Sequence, residues 1–437
     1  MATFTGTDES ELFSAAELSG TVTADPAGAV PGDEGDSYQP GGGDDTVFGG
    51  AGADEIGDRF GTGAGADEFH GAAGDDMLLG GDGDDSLDGD ADGDMLLGGD
   101  GDDSLDGGSG DDYLDGGDGY DVMLGGRGRD VISIATSSTA VSGDGGRDYV
   151  DGGPGADTLR FWEPGTVDLR DGTANISGAT WQFLSIENVN AWEDSTVYGD
   201  GRANVISVGD GSIAWGFGGD DGLSTFGGKL RGGAGDDRLT GGSVAEQLFG
   251  DGGRDRIYGG GGEDLLFGGA DNDKLFGDVG NAGEFDSGGD VLFGGAGDDL
   301  LAGNGKSDEL YGGAGRDRFV FHDVRDSSTV RPDKILGGAP EGGSSAGSVA
   351  EAFEGAGRGR GDLIDLRGID ARESSVFSDQ AFRFDERTEG GLWLRDDGDV
   401  TVVRGNVDDD KGAEFLLRIE DGAATSAADY TAADFLL

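Results

Sequence analysis

The stretch GGDGDDSLDGDADGDMLLGGDGDDSLDGGSGDDYLD, residues 80–115, decides the fold. Cut every nine residues, it becomes GGDGDDSLD, GDADGDMLL, GGDGDDSLD and GGSGDDYLD. Blocks of like charge normally repel and stay disordered. Carboxylates at this density and fixed period therefore imply a partner that neutralises them. Working outward, units start at 71, 80, 89, 98, 107, 116, 125, 134, 143 and 152 without a slip. Upstream, 40–48 and 49–57 are two further units, and a short insertion around Asp58–Gly61 leads to a unit ending at His70. A second array runs from about 216 to 320, in register at 232, 241, 250, 259 and 268. It takes an insertion near 277–284 and resumes at 285, 294, 303 and 312.

Within a unit the first, second and fourth positions are mostly Gly, the sixth is nearly always Asp, and the eighth is large and apolar. A disordered acidic tract has no need of an apolar residue at every eighth position. Glycines permit the positive-φ turns and close backbone approach of a tight loop. The three residues around the eighth position are expected to form a short strand with one side chain inward. Two units then make one coil of a parallel β-roll, with loops stacked along both edges. Unneutralised carboxylates about 4 Å apart repel by roughly 1 kcal/mol in water and about 4 kcal/mol at an effective dielectric of 20. Over many loops that exceeds the roughly 5–15 kcal/mol stability of a typical domain.

The totals agree. The chain has 437 residues, 29 basic and 91 acidic, for a net charge of −62. This balance argues against nucleic acid and against direct binding to an anionic membrane surface, and favours multivalent cations. Gly accounts for 96 residues and Pro for only 7, with no G-X-Y period, so the chain is neither collagen nor a Pro-rich linker. Cysteine is absent, which excludes disulfides and Cys-based zinc sites. No run approaches the roughly 18 apolar residues of a transmembrane helix. The opening MATFTGTDESELF has neither a basic nor an apolar signal-peptide region, so any export address is expected elsewhere.

The form GGxGxD occurs eleven times, and the whole unit, GGxGxDxUx, resembles the Ca²⁺-binding nonapeptide of the RTX (repeats-in-toxin) family. The resemblance implies an all-β fold of parallel β-roll arrays and several bound Ca²⁺ ions. Ca²⁺ is a hard ion taking six to eight oxygens. The ligands it implies are backbone carbonyls and the sixth-position carboxylates. In the first array these are Asp45, Asp54, Asp67, Asp76, Asp85, Asp94, Asp103, Asp112, Asp121, Asp130, Asp148 and Asp157. In the second they are Asp221, Asp237, Asp255, Asp264, Asp273, Asp290, Asp299, Asp308 and Asp317. Two units depart from the pattern. Unit 134–142, IATSSTAVS, has Thr139 at the sixth position, and unit 241–249 has Glu246. The coil is expected to continue through both, through Val141 in the first, with the local site lost or weakened.

The expected organisation is an N-terminal cap or irregular segment at 1–39, in which GTDESELF (6–13) reads as a degenerate capping coil. A first roll follows at 40–160, a connecting solenoid segment at 161–215, a second roll at 216–320 and a C-terminal region at 321–437. The connecting segment holds Trp162, Trp181, Trp192 and Trp215, read as packed core in preference to an exposed patch. Residues 337–360 are rich in small residues and read as a flexible loop. The GSSAG around Ser345 lacks the strand–turn–helix context of a nucleophile elbow. Alternation in Val400–Val403 and Phe415–Ile419 predicts antiparallel strands.

The C-terminal region resembles the secretion domain of serralysin-type proteins, and the terminal Asp434, Phe435, Leu436 and Leu437 resemble an uncleaved type I secretion signal. The HExxH zinc helix of the serralysin proteases is missing, and His70 and His322 are the only histidines. His70 is expected on a strand face. No remaining segment reaches the roughly 100–150 residues of a typical catalytic domain. The expectation is therefore a non-enzymatic protein exported by type I secretion machinery. It would fold on calcium and assemble at the bacterial surface as an S-layer, filament or matrix. The competing expectation is a polysaccharide-binding or enzyme-accessory module.

Overall fold

The computed structural model describes residues 3–5, 12–13, 18–19, 23–25, 36–43, 45–57, 64–134, 148–176, 179–278, 288–322, 327, 332–336, 362–367, 369, 383–384, 391–406, 415–420 and 426–437. The loop at 337–360 with Ser345, and Thr139 and Val141, lie outside them. Two compact units emerge, Met1–Asp200 with Val205–Val208, and Gly201–Asn204 with Gly209–Leu437. Among the described residues there is no α-helix, only one 3-10 turn at Ala432–Asp434. No described helix is long and apolar enough to cross a membrane.

In the first unit two parallel sheets alternate along the chain. One contains Met77–Asp82, Met95–Asp100, Tyr113–Asp118, Val131–Ile134, Thr158–Phe161 and Asn188–Ala191. The other contains Thr46–Ala51, Glu68–Ala73, Ser86–Ala91, Ser104–Asp106, Val122–Leu124 and Tyr149–Asp151. The register follows the repeat. Leu78 pairs with Leu96, then Leu114 and Ile132, and Phe69 with Leu87, Leu105 and Met123. All of these eighth-position side chains are buried. Every second unit thus lands on the same sheet, and the core is two facing columns of aliphatic side chains, as a parallel β-roll requires.

Many strands are longer than the three residues expected. Met77–Asp82 and Ser86–Ala91 each have six, running through the first three positions of the next unit. Glycine there leaves the backbone free to extend the parallel ladder before the turn begins. At the N-terminal end, Thr3–Thr5 pairs in parallel with Ser37–Gln39, and Phe4 stacks on Tyr38 at 5.1 Å.

Val122–Leu124 pairs directly with Tyr149–Asp151, and Val131–Ile134 with Thr158–Phe161. Partners that are elsewhere 18 residues apart are here 27 apart. The connection there is nine residues longer, and the expectation for unit 134–142 falls almost wholly on residues outside those described. In sequence, Thr139 offers no carboxylate and unit 134–142 no glycine. Unit 241–249 does continue the coil, with Leu248 stacked between Leu230 and Leu266.

The second unit repeats the plan. One column is Leu223, Leu239, Ile257, Leu275, Leu301, Phe319, Ile364 and Phe435. The other is Leu230, Leu248, Leu266, Leu292, Leu310, Ile335 and Ile419. The columns therefore run on past the last nonapeptide. The expected antiparallel strands are present, Thr401–Asn406 pairing with Gly391–Asp396 and Phe415–Glu420.

Candidate metal centres

Each sixth-position aspartate is locked to the coil before it. The backbone N–H of Asp94 donates to Asp112 Oδ1 at 2.8 Å, and that of Asp112 to Asp130 Oδ1 at 3.0 Å. The carbonyl of the same residue is also engaged, since Tyr113 N–H donates to the Asp94 carbonyl oxygen at 2.8 Å. The same bond reaches Asp54, Asp67, Asp76, Asp85, Asp94, Asp103, Asp121, Asp148 and Asp157 in the first unit. In the second it reaches Asp221, Asp237, Asp255, Asp264, Asp273, Asp290, Asp299, Asp308 and Asp317. Asp45 starts the first run, donating from its own N–H to Asp67 Oδ1 at 2.9 Å.

The second carboxylate oxygen is what these bonds leave over. In Asp54, Asp76, Asp85, Asp94, Asp103, Asp112, Asp130 and Asp157, and in Asp237, Asp255, Asp273, Asp290, Asp299, Asp308 and Asp317, Oδ2 is buried and accepts no hydrogen bond. A buried ionised oxygen without a partner is costly unless a cation meets it. The first-position glycines show what crowds around it. A methyl group on Gly107 would lie 2.6 Å from Asp112 Oδ2 and 2.6 Å from the carbonyl oxygen of Gly125 in the next coil. On Gly294 the corresponding distances, to Asp299 Oδ2 and the Gly312 carbonyl oxygen, are 2.5 Å and 2.5 Å. Carboxylate and carbonyl oxygens from adjacent coils thus converge where no side chain fits. This is an all-oxygen donor set of the kind a hard divalent ion takes.

The electrostatics carry the same signature. Burial pushes Asp94 up to about 8, opposed by the hydrogen bond from Asp76 and reinforced by the charges of Asp76 and Asp112. Asp112, Asp103 and Asp237 rise to about 7, and Asp273, Asp290 and Asp317 to about 8, again mainly through burial. These turns hold their carboxylates poorly as bare anions.

Glu246 keeps a carboxylate at its turn. It is buried, its Oε1 accepts from Gly242 N–H at 3.1 Å, and its own N–H donates to Asp264 Oδ1 at 2.9 Å. The unit therefore retains a carboxyl group at its turn, which burial and the neighbouring Asp264 push up to about 8.

The carboxylate run extends beyond the residues picked out from sequence. Asp36 N–H donates to Asp54, Asp308 N–H to Asp333 Oδ1 at 2.8 Å, and Asp317 N–H to Asp362 Oδ1 at 2.8 Å. Asp333 and Asp362 each precede an inward residue by two, Ile335 and Ile364, and that spacing was the available signal. Fifth-position residues form a second, exposed series. Asp84 Oδ1 accepts from Asp102 N–H, Asp102 Oδ1 from Tyr120 N–H, and Asp236 Oδ1 from Arg254 N–H.

The tryptophans divide. Trp181 is packed, but Trp162 and Trp192 are 42% and 49% exposed, in contact at 5.3 Å, with Arg160 over the Trp162 ring at 4.1 Å. Both follow an inward strand residue, Phe161 or Ala191, by one position, which turns them outward. The terminal residues extend a sheet, Phe435–Leu436 pairing in parallel with Ile364–Asp365, with Asp434 and Phe435 buried.

A stack of parallel coils with an all-oxygen site at each turn defines a calcium-binding β-roll. The family model described as "RTX calcium-binding nonapeptide repeat (4 copies)" matches residues 40–56, 61–96, 97–132, 141–160, 229–243, 248–282 and 286–319. The chain thus carries several copies of the RTX calcium-binding nonapeptide repeat. Among solved structures it is similar to the solution structure of the AlgE6R3 subunit from the Azotobacter vinelandii mannuronan C5-epimerase. The identity is 24%, over 44% of this chain and 78% of that one, with a TM-score of 0.24. No curated protein matches.

Proposed function

We propose that this chain is an exported, non-enzymatic protein whose rolls fold on calcium outside the cell and then build structural or adhesive material at the bacterial surface. The observation that carries the reading is the run of buried Oδ2 atoms without hydrogen-bond partners. It makes the folded state dependent on divalent ions, so the fold belongs where calcium reaches about 10⁻⁴–10⁻³ M. In a calcium-poor cytosol the acidic chain stays extended and can be threaded by type I secretion machinery, with the serralysin-like C-terminal residues Asp434–Leu437 as its address. Association is supported by an outward row of rings on one sheet of the second unit. Phe249, Phe267, Phe293 and Tyr311 stack at 4.7, 4.8 and 4.4 Å, a continuous apolar strip on an otherwise acidic chain.

Light scattering with circular dichroism, first in chelator and then through a calcium titration, tests this. β-structure followed by growth in mass is expected. Folding to a monomer that stays monomeric refutes the assembly reading. A second reading, a glycan-binding module, is favoured by the exposed Trp162–Trp192 pair and Arg160. It predicts tryptophan fluorescence changes on adding soluble polysaccharides to the calcium-loaded monomer.

A further inference from the structure

His70 sits on the outward face of Glu68–Ala73, directly beside Asp88 on the neighbouring strand. One ligand atom each from His70, Asp88 and Asp90 lie within 4.8 Å of one another. This cluster lies on a strand face and shares none of the sixth-position carboxylates of the turns. We infer that it is a separate site for one borderline divalent transition ion of the zinc class.

The two ring nitrogens have different surroundings. Nε2 lies 3.3 Å from Glu68 Oε1. Nδ1 faces Asp88 Oδ2 at 3.6 Å, too long for a hydrogen bond. In the tautomer whose Nε2–H donates to Glu68, the Nδ1 lone pair is directed at the carboxylates. A carboxylate on the far nitrogen is the usual outer support of a metal-bound imidazole. The 3.6 Å gap also has the right size, since two ligands of a tetrahedral zinc with bonds of about 2.1 Å stand about 3.4 Å apart. Asp88 is held in the same way. Its Oδ1 accepts from Asp90 N–H at 3.1 Å, leaving Oδ2 toward the imidazole.

The ring is also immobilised. Phe48 on the other flanking strand stacks against it at 4.7 Å with planes 2° apart. The side chains of His70 and Asp88 are 25% and 38% exposed, so an ion can reach them. Asp90 occupies a second-position glycine site in the repeat, at φ 68°, which brings a third carboxylate to a place where most units have no side chain. Imidazole nitrogen suits zinc, nickel and cobalt, whereas calcium takes oxygen, so saturating calcium leaves this site open.

The test is a Zn²⁺ titration of the full chain held in excess calcium, read by calorimetry and by NMR of the two histidine rings. The tightest event should have a stoichiometry of one and shift the His70 ring alone. H70Q should weaken that event at least tenfold, and E68Q, which removes only the outer support, by about ten- to a hundredfold. H322Q should leave it unchanged. The ring spectrum of the unaltered chain decides the matter even if a variant folds poorly. Three results would overturn the site: a His70 ring unmoved at one equivalent of zinc, His322 shifting equally, or wild-type affinity in a folded H70Q.

Discussion

Acid should do part of calcium's work. In chelator, a folded chain must bury carboxylates such as Asp94, raised to about 8, and Asp112, raised to about 7, against an ordinary value of 3.8. Their folded-state pKa values lie above the unfolded ones, so between about pH 8 and 4 the folded state binds protons that the unfolded chain does not. Stability without calcium therefore rises as pH falls through the 6–8 range, is fully present below about 4, and is lost as pH rises again. A shift of three units is worth about 4 kcal/mol at one site, and several such sites make the difference larger than a typical domain's whole stability. Far-UV circular dichroism in chelator from pH 9 down to pH 5, above the pI of about 4.1, should show β-structure growing in. The emission of the buried Trp181 should move to shorter wavelength with it. In calcium the dependence inverts, because the ligands must be ionised, so the calcium midpoint should rise as pH falls. A calcium-free chain equally structured at pH 9 and pH 5, or losing structure on acidification over this range, would refute the buried-carboxylate account.

Two further outcomes follow from the turn and the register. G107A places a methyl group against Asp112 Oδ2 and the Gly125 carbonyl oxygen, both at 2.6 Å. It should raise the calcium midpoint for folding, whereas S104A on the exposed side of a strand should leave it unchanged; equal midpoints for the two would count against the converging-oxygen turn. Deleting nine residues, 136–144, restores the 18-residue spacing in place of the 27-residue one. The shortened chain should fold with the same calcium midpoint and cooperativity, and loss of calcium-induced folding would show that the extra nonapeptide is needed.

Most of the architecture was legible because a nine-residue period in a parallel β-roll leaves only one stacking register. Once Leu78, Leu96 and Leu114 are aligned, the sheets, the inward columns and the Asp turns follow. The stretch around unit 134–142 shows the limit of periodicity. Length and Val141 keep the sequence count in phase, while the flanking partners stand 27 residues apart instead of 18 and still present the same face. Unit 241–249, which keeps Gly241, Gly242 and a carboxyl group in Glu246, stays in the 18-residue register. Asp333 and Asp362 are hidden from periodicity for a different reason. Their turns come after long insertions, so the spacing that identifies the others is broken while the hydrogen bonds to Asp308 and Asp317 persist. Trp162 and Trp192 were assigned to the core on residue type, yet their position one step beyond an inward strand residue overrides hydrophobicity.

The bonding of the turns also dictates how calcium and folding are coupled. Asp94 Oδ1 receives the N–H of Asp76, while Asp94's own N–H is given to Asp112. No turn is complete without the coil on either side, and at first glycines such as Gly107 and Gly294 the converging oxygens come from two coils at once. A coil that forms therefore presents half of the next site already built, so an ion bound at one turn lowers the cost of ordering its neighbour. Nearest-neighbour coupling of this kind gives a one-dimensional, cooperative transition within each unit. The steepness of the calcium titration should then track the number of consecutive turns rather than the affinity of any single one. Within the second unit the columns end on residues outside the repeat, Ile364 and Phe435 in one and Ile335 and Ile419 in the other. Ile335 and Ile364 still come with turn carboxylates, Asp333 and Asp362, whereas Ile419 and Phe435 follow Leu417 and Ala433 by two and bring no further turn carboxylate.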